Sequence, residues 1–576
     1  MRARADQRAY VVLLSRLLLM LAMLIPLLIS CSNGNSAQQE GQGETSGDGV
    51  FPSIPSIEED PAYGKYDEPI TVNIGFKIPD EKNASGETND NNPVSRYFEK
   101  ITNIKVVHTW EAKRDDSFLQ KVNLAIDSGD LPDAMVVDRN QLRKLIENDM
   151  IADLTDVYRE YGSSLIKAMY DSTKGIALQD ASSGGKLYGL PNVAIDADAP
   201  SLLWIRQDWL EKLHLAPPRT FDDLARIAQA FAYGDPDGDG KRDTIGLPGD
   251  KKVVHGQDKA GLNGFDTLFS AYHAFPKNWI KDSDGKVVYG SITPENKEAL
   301  TMLADWYKRG IIDNEFVLYR EAQEPIVSHK AGMFFGPWWA PYWPLAEAVA
   351  NDTKAEWRAY AAPVDGDGKF VTHMSPTTDR FLVVRKGFEH PEAVVKMLNA
   401  FTRLERRQDP NSGEVKKLDS FSAQTGVQLR SYYPFDLLLD YADAITQRYV
   451  NIQKALRSEI DYSSLDPDTK LIYEQSVAEM DNPKKNMDGW KAAKAYEYGG
   501  GVLYTTDMVQ VRGIFYGTTK TMETKWAALQ KQENDTFLKI IVGDQPISAF
   551  DDFVAEWKRS GGDIITGEVA RIVNGK

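Results

Sequence analysis

From Ile70 onward, short apolar runs alternate with amphipathic helical stretches, and this alternation restricts the possible architectures more than any other feature of the chain. Ile70, Val72, Ile74 and Phe76 alternate with their neighbours as one face of a strand does. Asn92-Pro93 supplies a helix N-cap with proline at the first helical position; the spacing predicts a helix over Val94 to Ile101, then a strand over Ile104 to Trp110. Phe118, Val122 and Ala125 share a face of the next helix, and a strand Ala134 to Val137 delivers Asp138. Strands separated by helices imply a largely parallel sheet with helices on both faces.

After a narrow connection at Tyr188 to Pro191 the pattern restarts, with a strand over Leu202 to Ile205 and a helix over Arg206 to Leu213. Thr220 caps a further helix, with Asp223 at its third position and Leu224, Ile227 and Phe231 as its apolar stripe. Thr293-Pro294 opens another helix running to Lys308. Phe381 to Val384 reads as a buried strand returning to the first unit, His390-Pro391 begins a helix, and from Asp436 the pattern is mainly helical. At 576 residues the chain is too long for one compact core. The expected division is 69–190 plus 371–435 as one lobe, 191–370 as a second, and 436–576 as a helical region packed on them.

The N-terminus reads as an address rather than as part of the fold. Arg2, Arg4, Arg8 and Arg16 stand against Asp6, and Leu17 to Ile29 is an apolar stretch of signal-peptide length. Residues 1–30 are therefore expected to be a signal peptide. The chain's only cysteine, Cys31, follows Leu28-Ile29-Ser30 and is better explained as an acyl acceptor than as a thiol catalyst. Acyl chains there would hold the protein to a membrane. Residues 31–68, rich in Ser, Gly, Gln, Glu and Pro, read as a flexible tether. The formal net charge of −17 argues against nucleic acid as a partner, because phosphate binding needs a basic face.

Two stretches carry binding chemistry. Ala331 to Pro344, AGMFFGPWWAPYWP, reads as a short buried strand broken at Gly336-Pro337 and followed by Trp338, Trp339, Tyr342 and Trp343. In open α/β sheets ligands lie beyond the carboxyl ends of strands, and flat aromatic faces suit the C–H faces of sugar rings. Trp338 is expected to be an exposed platform whose loss weakens sugar binding with little effect on the fold. The candidate ligand residues are Trp110 and Asp138 from the first lobe, with Trp204, Arg206, Trp338, Trp339 and Tyr342 from the second. Trp204 is equally readable as core, and Arg206 as a salt-bridge partner or helix cap.

Asp235-Pro-Asp237-Gly-Asp239-Gly240-Lys241-Arg-Asp243 puts carboxylates at loop positions 1, 3, 5 and 9, with glycine at 6 and a backbone carbonyl, that of Lys241, at 7. That spacing wraps a calcium ion in EF-hand loops. Gly246 stands at position 12 instead of the usual bidentate Glu, leaving Thr244 or water to complete the shell. A structural Ca²⁺ is expected. The chain has no G-x-S-x-G, H-E-x-x-H, Walker or G-x-G-x-x-G motif, and none of its seven histidines has a metal-ligand spacing. A glycosidase remains a competing reading, because its two carboxylates need no fixed spacing.

These residues together resemble the extracellular solute-binding proteins of sugar-importing ABC transporters, most nearly the lipoprotein branch with alginate-oligosaccharide-binding members. The features are the Cys31 lipobox, SGDLPD at 128–133, LWIRQDWLEKL at 203–213, PPRTFDDL at 217–224 and DPDGDGKRDTIG at 235–246. TPENKEAL at 293–300, YKRGIIDNEF at 307–316, GMFFGPWW at 332–339 and HPEAVVKMLNAF at 390–401 complete the set. The resemblance implies an α/β, type II periplasmic-binding-protein-like fold, with two lobes joined by crossover strands and closing on a ligand by a hinge. It implies a monomeric, non-enzymatic carrier on the extracellular face of the bacterial cytoplasmic membrane that passes an oligosaccharide to a separate permease. A peptide or other solute as cargo, or a surface-anchored polysaccharide-degrading enzyme, are the alternatives. It also supports calcium at Asp235, Asp237, Asp239, the Lys241 carbonyl and Asp243.

Overall fold

The structure, a computed structural model, describes residues 60–78, 82–113, 116–257 and 261–574. The signal peptide, Cys31 and the tether as far as residue 59 lie outside the described residues. The expected tether runs too far, however. Ala62 and Tyr63 are buried, the Ala62 carbonyl accepts from Asn399 Nδ2 at 2.9 Å, and the Arg403 guanidinium lies 3.9 Å from the Tyr63 ring centroid.

The first sheet has five strands in the order Ile104–Lys113, Ile70–Ile78, Ala134–Val137, Phe381–Val384, Leu190–Pro191. The first three are parallel, as their helical connections require. Phe381–Val384 enters antiparallel between Ala134–Val137 and Leu190–Pro191 after an excursion of almost two hundred residues. Local capping sets the helices: Asn92 and Ser95 form a reciprocal capping box at the head of Pro93–Thr102, as do Thr220 and Asp223 at Phe221–Tyr233.

The second sheet departs from the expected parallel pattern. Leu202–Arg206 lies in its centre with Met333–Gly336 and Trp357–Tyr360 antiparallel on either side. Alternation splits the central strand between two cores. Leu203 and Ile205 face one containing Phe537, Phe553 and Trp557 of the C-terminal helices, whereas Leu202 and Trp204 face one containing Ile445, Ile452, Ile472 and Trp490. The first sheet has its own core, which extends along the chain to Ala442. Most of the chain beyond residue 443 therefore packs on the second sheet, covering both of its faces. Met508–Arg512 also pairs in parallel with Phe370–Met374.

Two stretches cross between the sheets in this region, and they are stitched together. The Asn192 amide oxygen accepts from the backbone N–H groups of Asp379 and Arg380 at 3.0 Å, while its nitrogen donates to Asp379 at 2.6 Å.

Candidate functional site

The aromatic stretch divides into an anchor and an exposed part. Met333–Gly336 is a buried strand, and Trp338 immediately after it is only 6% exposed. Its indole N–H donates to Asp198 Oδ1 at 2.9 Å, and its ring meets Tyr496 edge-on at 5.2 Å. Gly499 lies directly beneath, where an added Cβ would stand 2.2 Å from the Trp338 carbonyl oxygen. The expectation that Trp338 is a freely exposed platform is thus corrected: the helical region 444–503 supplies a cover that lies far away in sequence. Trp339 is half-buried, while Tyr342 and Trp343 are 38% and 42% exposed. These three rings, just beyond the buried Trp338, keep part of their surface exposed. Trp343 was not among the residues selected from sequence, although it stands in the same run.

Trp204 and Arg206 are also corrected. Trp204 is fully buried, and its indole N–H donates to the Pro337 carbonyl at 3.0 Å. Arg206, 4% exposed, donates to both oxygens of Asp208 at 2.7 and 2.8 Å and to Asp352 at 3.1 Å, and lies over the Trp209 ring. Both sit in the central strand of a sheet covered on its two faces, so neither is presented to solvent. They hold the second sheet together.

In the first lobe, a pocket of about 220 Å³ opens at the carboxyl ends of Ile70–Ile78 and Ala134–Val137. Asp138 lines it, with Lys77, Phe118, Asp379, Arg380 and Asp436. Asp138 Oδ1 accepts from the Gln141 backbone N–H at 2.9 Å, which fixes the carboxylate at the head of helix Arg139–Glu147. Lys77 and Arg380 both donate to Asp436 Oδ2, at 3.0 and 2.7 Å. The wall is thus a set of held donors and acceptors beside the Phe118 ring, which suits hydroxyl groups. Trp110 lies behind this wall: half-buried, it packs against Phe118 at 5.6 Å and against Gly75, where any Cβ would lie 2.2 Å from the indole. The lysine, arginine and Asp436 were missed in the sequence, and nothing in their spacing marks them, since they meet from positions 77, 380 and 436.

The chain links the neighbourhood of Asp138 to the second lobe. Asn140 and Thr518 exchange two hydrogen bonds of 2.9 Å, Nδ2 to Oγ1 and backbone N–H to Oδ1. Thr518 precedes Met522–Ile541, whose Leu529 and Phe537 belong to the second sheet's core.

The acidic loop follows helix Phe221–Tyr233. Carboxylate oxygens of Asp235, Asp237 and Asp239 lie within 4.8 Å of one another. Partial burial raises the Asp237 carboxyl above its usual range, and the nearby Asp235 and Asp239 add to the shift, whereas the Lys241 ammonium beside Asp239 lowers that group. Three hard oxygen donors at this separation fit a cation of the calcium class. Asp243, exposed, does not belong to the cluster; nor does the buried Thr244, whose hydroxyl donates to the Phe231 carbonyl at 2.7 Å. Gly246 has a reason to depart from glutamate. A Cβ there would lie 2.3 Å from the Ile311 carbonyl oxygen, so position 12 is committed to packing.

Comparison with known proteins agrees with this architecture. Residues 83–405 match the sequence profile of the bacterial extracellular solute-binding proteins. The polygalacturonan/rhamnogalacturonan-binding protein YtcQ of Bacillus subtilis is 25% identical over 502 residues, covering 82% of this chain and 86% of its own. Among solved structures, the alginate-binding protein AlgQ2 without calcium ion has a TM-score of 0.55 at 17% identity, covering 88% of this chain and 99% of the other. An EF-hand mutant of the S. pneumoniae ABC-transporter substrate-binding protein FusA, in complex with fructo-nystose, has a TM-score of 0.54 at 19% identity, again with 88% and 99% coverage.

Proposed function

The chain belongs to the bacterial extracellular solute-binding proteins, and from that premise we propose that it captures an oligosaccharide between two α/β lobes and delivers it unaltered to the permease of an ABC importer. The observation that carries this reading is the loop of Trp339, Tyr342 and Trp343, held beyond the end of a buried strand by the Trp338–Asp198 hydrogen bond. Aromatic faces of this kind pack on sugar C–H faces while phenol and indole edges take hydroxyl partners. Asp138, with Lys77, Arg380 and Asp436 around it, supplies the polar wall from the first lobe, and Trp110 backs it. YtcQ and FusA are named or solved with saccharides, which supports the same ligand class.

The proposal takes the lobes as 69–190 plus 371–435 and 191–370, with 436–576 as a helical region packed on them; the first sheet's own core, together with buried Ala62 and Tyr63, supports a separate first lobe, while residues from Ile445 onward share both cores of the second. It includes lipid attachment at Cys31 to the extracellular face of the cytoplasmic membrane, a monomeric state, and a structural Ca²⁺ at Asp235, Asp237 and Asp239 with the Lys241 carbonyl. Such an ion would offset the mutual repulsion of three converging carboxylates and fix the loop after Phe221–Tyr233.

The test is calorimetric titration of the full-length protein with pectic, alginate and fructan oligosaccharides alongside peptides. Saturable binding of one saccharide per chain supports the reading; binding of peptides alone overturns it.

A further inference from the structure

A second cluster of metal-ligating side chains lies on the edge strand of the first sheet, away from the acidic loop. Strand Ile104–Lys113 follows Ile70–Ile78 in parallel register as far as Ile74 opposite His108, but Gly75 then lies opposite Trp110. Thr109 is an extra residue, a β-bulge. Residues three apart on a regular strand point to opposite faces; the bulge reduces the effective separation of His108 and Glu111 to two, so both project from the same face, opposite Ile74 and Phe76. Asp90, from the loop before helix Pro93–Thr102, reaches the same point.

The ligand atoms converge closely. His108 Nδ1 is 3.0 Å from Asp90 Oδ1 and 3.2 Å from Glu111 Oε1, and the three groups lie within 4.8 Å of one another. Metal bonds of about 2.0–2.2 Å to nitrogen and carboxylate oxygen give a tetrahedron with edges of about 3.3 Å, so two of the three edges already stand near the required length. The imidazole is pre-positioned: it stacks on Phe76 at 4.2 Å and 10°, and its side chain is only 4% exposed. The carboxylates are 58% and 34% exposed, which leaves water access for the remaining coordination position. An outer layer orients Glu111, with Asn89 Nδ2 donating to its Oε1 at 3.0 Å and Asn83 Nδ2 donating to Asn89 Oδ1 at 2.9 Å. Among the described residues, neither Asp90 nor Glu111 is ion-paired with a lysine or arginine.

We propose that Asp90, His108 and Glu111 bind a divalent transition cation of the zinc class, with His108 Nδ1 as the nitrogen ligand. One imidazole with two carboxylates matches the donor preference of Zn²⁺ rather than the all-oxygen shell of Ca²⁺. The bound ion would pin the loop carrying Asp90 to a strand that, among the described residues, lies at the edge of its sheet.

The test is calorimetric titration of chelator-stripped full-length protein with Zn²⁺ in the presence of excess Ca²⁺, which occupies oxygen-only sites. The expected result is saturable uptake of one Zn²⁺ per chain, weakened at least about tenfold in Asp90→Asn and in Glu111→Gln. Both variants alter exposed groups, so their melting temperatures in chelator should match the parent's, and His108→Gln should abolish uptake. No stoichiometric Zn²⁺ binding by the parent, or binding of unchanged strength in both carboxylate variants, overturns the proposal.

Discussion

The Trp338 indole donates a 2.9 Å hydrogen bond to Asp198 Oδ1, tying the loop after a second-sheet strand to the short helical turn Asp196–Asp198 in the connection from the first sheet. The ring that anchors the loop is therefore distinct from the rings that the loop presents.

Trp338→Ala should accordingly behave as a core truncation, losing about 3–5 kcal/mol of stability. Tyr342→Ala and Trp343→Ala, at exposed rings, should each weaken saccharide binding by more than about 1 kcal/mol with nearly unchanged melting. Denaturant unfolding and calorimetric titration of the three variants separate the roles. A Trp338→Ala protein as stable as the parent would contradict the anchor.

Gly499→Ala sets a Cβ against the Trp338 backbone carbonyl, an atom that no side-chain rotation can move away. Overpacking of this kind costs about 1–3 kcal/mol. The variant should melt earlier than the parent, whereas Gly366→Ala, in open space, should melt like it.

Calcium removal gives a third expectation. An ion bound only by the folded chain stabilises it by about 2.7 kcal/mol at one hundred times its Kd. Chelation should lower the melting temperature, and Asp237→Ala, which removes the oxygen at loop position 3, should melt in calcium as the parent does in chelator. Identical melting curves for the parent in chelator and in millimolar calcium would contradict the loop's role.

Burial holds the His373 imidazole below its ordinary value, opposed by the nearby Asp266 and reinforced by His255. The unfolded chain therefore takes up the proton first as pH falls. Stability from this group is complete above about pH 6.5 and is lost as pH drops through the lower folded-state value. His329 shifts in the same direction, again through burial, and adds to the slope. Melting temperatures measured from pH 8 to pH 5 should decline below about 6.5, and His373→Gln should flatten part of that decline.

What the sequence reveals here is local. The capping boxes at Asn92 and Thr220, the strand Ala134–Val137 and the buried run Phe381–Val384 were readable because their signals lie within a few residues. The antiparallel second sheet was not, since its order depends on pairing across more than one hundred residues of chain. Four aromatic residues in one loop look alike in sequence; Asp198 and Gly499 decide which is buried. Thr244 adjoins the acidic run in sequence, yet its buried hydroxyl donates to the preceding helix. His108 and Glu111 meet only because one bulged residue shifts their phase.

Capture without chemistry is tested most directly by following the oligosaccharide itself through binding. Full-length protein incubated at length with a bound oligosaccharide and then denatured should return that compound with unchanged mass and no new reducing ends. Cleaved or unsaturated products accumulating beyond the amount of protein present would contradict the account and assign the groove to an enzyme.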